Sequence, residues 1–285
     1  MHLKNFWFSY KNILLSAIEV SYLKFITRIF GILYKFLIRF LRHNFSSKII
    51  NLDNLDKENL KNLNLNELFN KFNCDKGTFL KINNKKIFTH NYSIFYEKYF
   101  SKLKEKKINL LELGSHEGKG LAAFFYYFPF SNIIGANNNP FQMKFKSHRI
   151  KELYVDVSSK KILRNLSNYL VEDLDIVIDD ASHNLRDIII SFTIFFKKLN
   201  KGGIYVIEDC NQFEVFKELD PYNGKEISPK EMLIKIKNNE SFSSSFINEE
   251  DKKYLLENIK DIEIKKGSMM INNVNISDIA FIFKR

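Results

Sequence analysis

Four carboxylates and an imidazole follow the ends of two short apolar segments in the second half of this 285-residue chain. The first segment, DIVIDD, ends at Asp179 and Asp180, with His183 three residues further on, and the second, GIYVIED, ends at Glu208 and Asp209. Like charges at such close spacing repel one another, and their pKa values rise unless a cation or a substrate lies among them. This group of side chains therefore indicates a functional site.

Both segments are rich in Ile and Val and too short for helices, which predicts two buried strands. Residues 184–199 place apolar side chains at helical spacing, and the sequence NKGG at 200–203 predicts a helix stop and a turn. A strand, a helix and a second strand form a right-handed crossover with parallel strands. Because ligands bind at the carboxyl ends of parallel strands, we expect the acidic residues and the histidine at one rim of the sheet.

A glycine loop follows another predicted strand, at residues 108–113, and precedes a helical pattern that begins at about residue 121. The loop contains Gly114 and Gly118, and Glu112 stands just before it. A strand, a glycine loop and a helix in this order allow the backbone to approach a nucleotide-like ligand. A carboxylate at position 112 suits a ligand with a cationic amino group.

Two more strands are predicted at 132–136 and 152–155, and polar residues follow them at Asn137 and Asp156. This order of strands and polar residues resembles class I S-adenosylmethionine-dependent methyltransferases. Within that class, the chain resembles the metal-dependent sugar O-methyltransferases of macrolide biosynthesis, the macrocin and mycinamicin O-methyltransferase family. The segments that carry the resemblance are CDKGT at 74–78, HNYSIFYEKYF at 90–100, LLELGSHEGKG at 110–120, DIVIDDASH at 175–183 and LNKGGIYVIED at 199–209.

The resemblance implies an α/β fold of the Rossmann-like class I methyltransferase type, with a mostly parallel seven-stranded central sheet and helices on both faces. It also implies a cofactor site for S-adenosylmethionine. The predicted cofactor-binding residues are Glu112, Gly114, Ser115, Gly118, Asn137, Asp156 and Asp179. The family has an acidic residue where this chain has Asn137, which can accept a ribose hydrogen bond but lacks the charge that would strengthen it.

The resemblance further implies that Asp180, Glu208 and Asp209 hold a divalent metal and that His183 acts as general base. Three carboxylates without cysteine form a hard oxygen set, which favours Mg²⁺, with Mn²⁺ or Ca²⁺ as alternatives, over zinc or copper. A metal that coordinates a substrate hydroxyl lowers its pKa, and a neutral imidazole can then take the proton. The predicted reaction is methyl transfer to a hydroxyl of a sugar or glycan-like acceptor. The segments at 74–78 and 90–92 would form a lid over the cofactor.

Each of these residues also has a purely structural interpretation. Asp179 and Asp180 are favoured types at a helix N-cap, and Glu208 with Asp209 could end a strand in solvent. Two other functions stay open. One is a cephalosporin hydroxylase-like, metal-dependent oxygenase of the same fold, although the rim lacks the usual triad of two histidines and one carboxylate. The other is a non-catalytic protein of this fold tethered to a membrane, an alternative that Asn137 keeps open.

The net charge of +11 is concentrated in the first 50 residues, where eight lysines and arginines stand against one glutamate. Residues 12–41 are very apolar, but no uncharged run approaches the ~20 residues that span a bilayer. Lys24, Arg28, Lys35 and Arg39 share one helical face beside a wide apolar face. This pattern predicts a helix that lies on an anionic membrane surface. The alternative is an amphipathic helix packed on the domain or in the interface of a homo-oligomer.

The sequence therefore predicts a basic amphipathic helical extension at 1–50, a linker and lid region at 51–105, and a methyltransferase domain at 106–285. The body of the chain carries little net charge and no RNA-binding or helix-turn-helix pattern, so no nucleic-acid partner is expected. Two cysteines without a CxxC spacing indicate a reducing compartment. We expect a cytoplasmic enzyme, peripheral on the inner membrane face if the extension binds lipid, acting on a small-molecule or lipid-linked sugar.

Overall fold

The computed structural model describes residues 3–18, 34, 49–55, 57–139 and 142–285. Its strands are β1 Ile50–Asn51, β2 Phe79–Ile82, β3 Lys85–Phe88, β4 Asn109–Leu113, β5 Asn132–Asn137, β6 Phe145–Lys146, β7 Ile150–Tyr154, β8 Leu174–Asp179, β9 Leu199–Ile207, β10 Ile259–Lys266, β11 Met270–Ile271, β12 Val274–Asn275 and β13 Asp278–Lys284. Its helices are α1 Leu3–Ile18, α2 Lys57–Lys61, α3 Leu65–Lys71, α4 Ser93–Phe100, α5 Lys119–Tyr127, α6 Lys160–Tyr169, α7 Leu185–Phe196, α8 Pro229–Lys237 and α9 Glu249–Asn258.

The central sheet has seven strands in the order β7-β5-β4-β8-β9-β13-β10 within the described residues. Neighbours from β7 to β9 pair in parallel, and β13 pairs antiparallel with both β9 and β10. The predicted seven-stranded, mostly parallel sheet is therefore confirmed. Its carboxyl-terminal rim, where β4, β5, β7, β8 and β9 end together, is the edge at which ligands bind in such folds.

Alternate residues of the central strands face opposite sides of the sheet, and each side has its own apolar core. Leu111 and Val177 pack on one side with α6, α7 and α8. Leu110 and Ile178 pack on the other side with α3, α4 and α5. The same alternation continues to the strand ends, so it decides which acidic side chains can meet beyond them.

Local sequence signals fix the helices beside this rim. The side chain of Asn184 caps α7 by accepting a hydrogen bond from the backbone N–H of Arg186. Ser228 caps α8 in the same way, and Pro229 occupies its first position, where a missing N–H costs nothing. Because α7 starts directly after residue 184, the loop that carries His183 is held short.

The prediction of a turn at NKGG is wrong, because β9 already begins at Leu199 and runs through these residues. The pairing register with β8 shifts between Leu174 and Ile176, so the extra residues are taken up as an irregularity within the strand. The hairpin of β2 and β3 was also not predicted. Asn83 and Asn84 both adopt left-handed backbone angles at its turn, as a two-residue hairpin requires.

Helix α1 packs against the edge strand β7 and against α6. The hydroxyl of Ser9 accepts a hydrogen bond from the backbone N–H of Tyr154, and Asn5 accepts one from the hydroxyl of Tyr169. This contact covers the free edge of the sheet. Most of the predicted membrane helix at 12–41, including all four of its basic residues, lies outside the described residues. Among the residues that are described, no helix is long and apolar enough to cross a bilayer.

Candidate active site

A cavity of about 780 Å³ opens at the carboxyl-terminal rim of the sheet. This volume lies within the range of small-molecule and cofactor sites. Five of the seven predicted cofactor-binding residues line the cavity, namely Glu112, Gly114, Ser115, Asn137 and Asp156. The predicted residues thus meet in one place although they are spread over more than 40 positions of the sequence.

Glu112 and Ser115 present unsatisfied polar atoms to this cavity. The Oε2 atom of Glu112 and the Oγ atom of Ser115 are buried and have no hydrogen-bond partner among the described residues. Burial raises the pKa of the Glu112 carboxyl to about 7, although Lys76 opposes the shift. Buried polar groups without a partner are rare in folded proteins, so these two atoms indicate the position of a polar ligand.

Gly114 and Gly118 serve the turn between β4 and α5. Both have positive φ angles, of 87° and 78°, and at Gly114 a Cβ atom would lie 1.9 Å from the backbone oxygen of Asp180. The loop after β4 therefore approaches the loop after β8 as closely as a glycine permits. Gly118 does not line the cavity and is the N-cap residue of α5, so its role as a cofactor contact stays a prediction.

We expect Gly114→Ala to lower the free energy of unfolding by more than about 3 kcal/mol, because the clash with Asp180 adds to left-handed strain of roughly 1–2 kcal/mol. Gly202→Ala is the matched control, since Gly202 also has a φ of 78° but has nothing within 4 Å of the added Cβ. Urea unfolding of both variants separates the free-energy cost of the clash from that of the left-handed backbone conformation. Equal losses in the two variants would refute the close approach of the two loops.

Asp179 does not reach the cavity, which corrects its assignment as a cofactor contact. Its carboxylate accepts hydrogen bonds from the hydroxyls of Ser191 and Tyr205 on the opposite side of the sheet. Burial raises the pKa of Asp179 to about 6, although these two hydrogen bonds oppose the shift. Consecutive residues of a strand point to opposite faces, so Asp179 and Asp180 cannot share a site.

Asp180, His183 and Asp209 come together at the open end of the rim. One ligand atom from each of them lies within 4.8 Å of the others, the spacing of a group that can hold a metal ion. The Nε2 atom of His183 is 3.6 Å from Oδ1 of Asp180. The two carboxylates are hard oxygen donors suited to Mg²⁺ or Mn²⁺, so they fit the predicted ion, and the imidazole lies beside them.

Glu208 lies apart from this group in the structure, which differs from the prediction of three carboxylates around one ion. Its Oε1 and Oε2 atoms are 2.8 and 2.9 Å from Nζ of Lys76, and its Oε1 atom accepts a hydrogen bond from the hydroxyl of Tyr96. Burial and the neighbouring Asp180 raise the pKa of Glu208. Lys76 contacts Asp180 as well, with 2.5 Å between Nζ and Oδ2.

Asp209 is held by His90 and Tyr92, which belong to the segment HNY at 90–92. The hydroxyl of Tyr92 donates to Oδ1 of Asp209 over 2.6 Å, and Nδ1 of His90 lies 3.3 Å from the same oxygen. Burial alone would raise the pKa of Asp209, but the contacts with His90, His183 and Tyr92 together outweigh burial and lower it. Asp209 and His183 both have φ angles of 53°, an unusual backbone conformation that occurs preferentially at functional sites.

The sequence placed Lys76 and Tyr92 within the predicted lid segments without giving either a role of its own, and it did not predict Tyr96 as part of the site. The two tyrosines are fully buried, as core residues would be, yet their hydroxyls contact the acidic residues that follow β9. A buried hydroxyl or ammonium needs a polar partner, but nothing in the local sequence shows that Lys76, Tyr92 and Tyr96 are buried, so no local signal identifies them.

No family model matches the chain. Its curated relatives include the 8-demethyl-8-alpha-L-rhamnosyl tetracenomycin-C 2'-O-methyltransferase of Streptomyces olivaceus, which is 28% identical over 127 residues, or 42% of this chain and 33% of the relative. The mycinamicin VI 2''-O-methyltransferase of Micromonospora griseorubida is 29% identical over 133 residues, or 43% of this chain and 32% of the relative. The alignments span about a third of these relatives. They confirm the resemblance to sugar O-methyltransferases that the motifs indicated.

Solved structures of the MycE methyltransferase from the mycinamycin biosynthetic pathway have a similar fold. The complex with Mg and SAH matches with a TM-score of 0.58 and 21% identity, over 78% of this chain and 55% of MycE. The complex that also contains mycinamycin VI matches with a TM-score of 0.57, over 78% of this chain and 54% of MycE. This similarity confirms the Rossmann-like methyltransferase fold.

Proposed function

We propose that the protein is an S-adenosylmethionine-dependent, metal-assisted O-methyltransferase that acts on a hydroxyl of a sugar or glycan-like acceptor. One observation carries the proposal: the cavity beneath the glycine loop, with unsatisfied atoms of Glu112 and Ser115, opens at the same rim as the group of Asp180, His183 and Asp209. The curated relatives are named as sugar O-methyltransferases, and MycE was solved with Mg and SAH, which supports the same assignment here.

The cavity offers a partner for each part of the cofactor. The Glu112 carboxylate would bind the amino group of the methionine part, and Asp156 at the far end would accept from the adenine amino group. The Nδ2 group of Asn137 donates to the backbone oxygen of Asn139 and to Oε1 of Gln142, both at 3.3 Å. Both of these bonds use Nδ2, so Oδ1 of Asn137 would be the atom that accepts a ribose hydroxyl. Gln142 thereby helps to orient the Asn137 amide.

Asp180 and Asp209 would hold the divalent ion. When bound, the ion lowers the pKa of a hydroxyl that it coordinates. His183 would then take the hydroxyl proton, and Oδ1 of Asp180 at 3.6 Å would stabilise the resulting imidazolium. The acceptor oxygen forms a bond to the methyl carbon as the bond from that carbon to sulfur breaks. Glu112, Asp180 and Asp209 would contribute by orienting the cofactor and the acceptor.

The direct test of the function uses S-adenosylmethionine labelled in its methyl group and a panel of rhamnosyl and other deoxysugar glycosides. We expect label on an acceptor oxygen in the presence of Mg²⁺ and its loss after chelation. Binding of the cofactor without transfer to any hydroxyl of the panel, with or without metal, would favour the non-catalytic alternative.

We expect the affinity for S-adenosylmethionine to increase as the pH rises from 6 to 7.5. The raised pKa of Glu112, about 7, means that this carboxyl is mostly protonated at pH 6 in the free protein. Binding the cationic amino group requires the ionised form, so binding releases a proton. The dissociation constant should fall by up to about tenfold per pH unit below the pKa of Glu112. Calorimetry at several pH values measures the effect, and Glu112→Gln should show weak, pH-independent binding. An equal slope in both proteins would contradict the role of Glu112.

The oxygenase alternative finds less support in the donor set. The group that the described residues form contains one imidazole and two carboxylates, whereas the usual oxygenase triad has two histidines and one carboxylate. Attachment to a membrane through residues 12–41, a lipid-linked acceptor and a homo-oligomer stay predictions. The packing of α1 on β7 favours the alternative that the first part of the extension covers the domain.

A further inference from the structure

Lys76 is a buried cation at the centre of the acidic rim. Its side chain is 3% exposed, and Nζ lies 2.5 Å from Oδ2 of Asp180, 2.8 Å from Oε1 of Glu208 and 3.4 Å from Oε1 of Glu112. Glu112 is the last but one residue of β4, and Asp180 and Glu208 directly follow β8 and β9, so one ammonium joins the carboxyl ends of three strands. Both oxygens of Glu208 surround it, as they would surround a metal ion.

The charges of this cluster do not balance. Three carboxylates face one ammonium group, and burial penalises each charge that is not compensated. Replacing the single charge of Lys76 by the double charge of a divalent ion would therefore stabilise these carboxylates.

Lys76 and a divalent ion shared by Asp180 and Glu208 would need the same carboxylate oxygens. An ion at ligand distance, about 2.1 Å, would lie in contact with an ammonium group at 2.5–2.9 Å from those oxygens. Two positive charges so close repel each other strongly, and one of them must leave. Glu208 can join Asp180 and Asp209 around an ion only after Lys76 has withdrawn.

Withdrawal of Lys76 would also affect the residues that hold Asp209. The backbone oxygen of Lys76 accepts from the N–H of Ser93, the oxygen of Asp75 accepts from His90, and the oxygen of Gly77 accepts from Asn91. These bonds join the turn at 74–78 to residues 89–93, which hold Asp209 through His90 and Tyr92. We define residues 74–93 as the capping segment.

We propose that Lys76 sets the metal affinity of the site: its ammonium takes the place of the divalent ion between Asp180 and Glu208, and metal binding exchanges one cation for the other and loosens the capping segment. The proposal rests on the proposed metal-assisted function. It adds a residue of this chain that opposes the ion rather than holding it, and it explains why Glu208 lies apart from the other two carboxylates.

The test is titration of the full-length protein with Mn²⁺, followed by the electron paramagnetic resonance signal of free Mn²⁺ and by calorimetry. We expect Lys76→Met, which keeps the length of the side chain and removes its charge, to lower the dissociation constant for Mn²⁺ at least tenfold. Lys119→Met is the control, because Lys119 also lies at the cavity but pairs with Glu117 and not with the three carboxylates. The affinity of Lys119→Met for Mn²⁺ should differ much less from that of the wild type.

A second measurement uses the wild-type protein and does not depend on the folding of a variant. Saturating Mn²⁺ should accelerate hydrogen exchange at the amides of Asn91 and Ser93, which bond to the turn that carries Lys76. Equal or weaker Mn²⁺ binding by a folded Lys76→Met, or unchanged exchange of these amides, would overturn the inference and leave the proposed function intact. If neither the wild type nor the variant binds Mn²⁺, metal assistance itself is refuted together with the inference.

Discussion

Replacing His183 by asparagine is expected to lower the rate of methyl transfer by about 10²–10⁴-fold, the usual contribution of a positioned general base. Asparagine is the appropriate substitution because His183 has a φ of 53°, a conformation that asparagine tolerates better than most residues. The loss should fall on the chemical step, since His183 does not line the cofactor cavity. Single-turnover transfer from labelled cofactor to the acceptor measures this step directly.

The control is the dissociation constant for S-adenosylmethionine, which should be nearly the same in His183→Asn and in the wild type. A variant that transfers methyl groups at the wild-type rate would remove His183 from the mechanism.

Asp180→Asn is expected to weaken Mn²⁺ binding by about 100-fold or more, because even outer partners of metal ligands contribute 10–100-fold to affinity. We expect such a large loss of affinity because Asp180 belongs both to the group of His183 and Asp209 and to the cluster around Lys76. Its Oδ1 atom faces His183, and its Oδ2 atom contacts Lys76. The substitution keeps the shape of the side chain and removes its charge. Titration with Mn²⁺ gives the affinity, and activity at increasing Mg²⁺ shows whether excess metal restores turnover.

Asp261→Asn is the matched control, since Asp261 is exposed and lies on β10, at the edge of the sheet away from the cofactor cavity. It should leave the Mn²⁺ affinity unchanged. Unaltered metal binding by Asp180→Asn would refute the metal site at this rim and would move the carboxylate to a purely structural role.

The sequence predicts the strands of the sheet well, because short Ile- and Val-rich segments bounded by polar residues have few other stable arrangements. The five parallel strands lie within a few residues of the predicted ranges, and Asp180, His183 and Asp209 meet where the ends of β8 and β9 bring them. Parallel strands end at the same rim, so the positions of the strands in the sequence were sufficient to predict that these side chains lie together.

The remaining parts of the site depend on contacts that local patterns do not encode. Lys76 lies 104 residues before Asp180 and 132 before Glu208 in the sequence, and only the packing of the capping segment brings them together. The wrong assignment of Asp179 has a different cause. Strand alternation already places Asp179 and Asp180 on opposite faces, so the parity of the strand is a signal that would have corrected it.

The most direct test of the central claim is a crystal structure of the full-length protein with S-adenosylhomocysteine and Mn²⁺, in which anomalous scattering locates the ion. We expect the amino group of the ligand at Glu112 and the anomalous peak between Asp180 and Asp209, with Lys76 withdrawn and Glu208 turned towards the ion. A ligand outside the cavity, or an ion bound away from both aspartates, would contradict it.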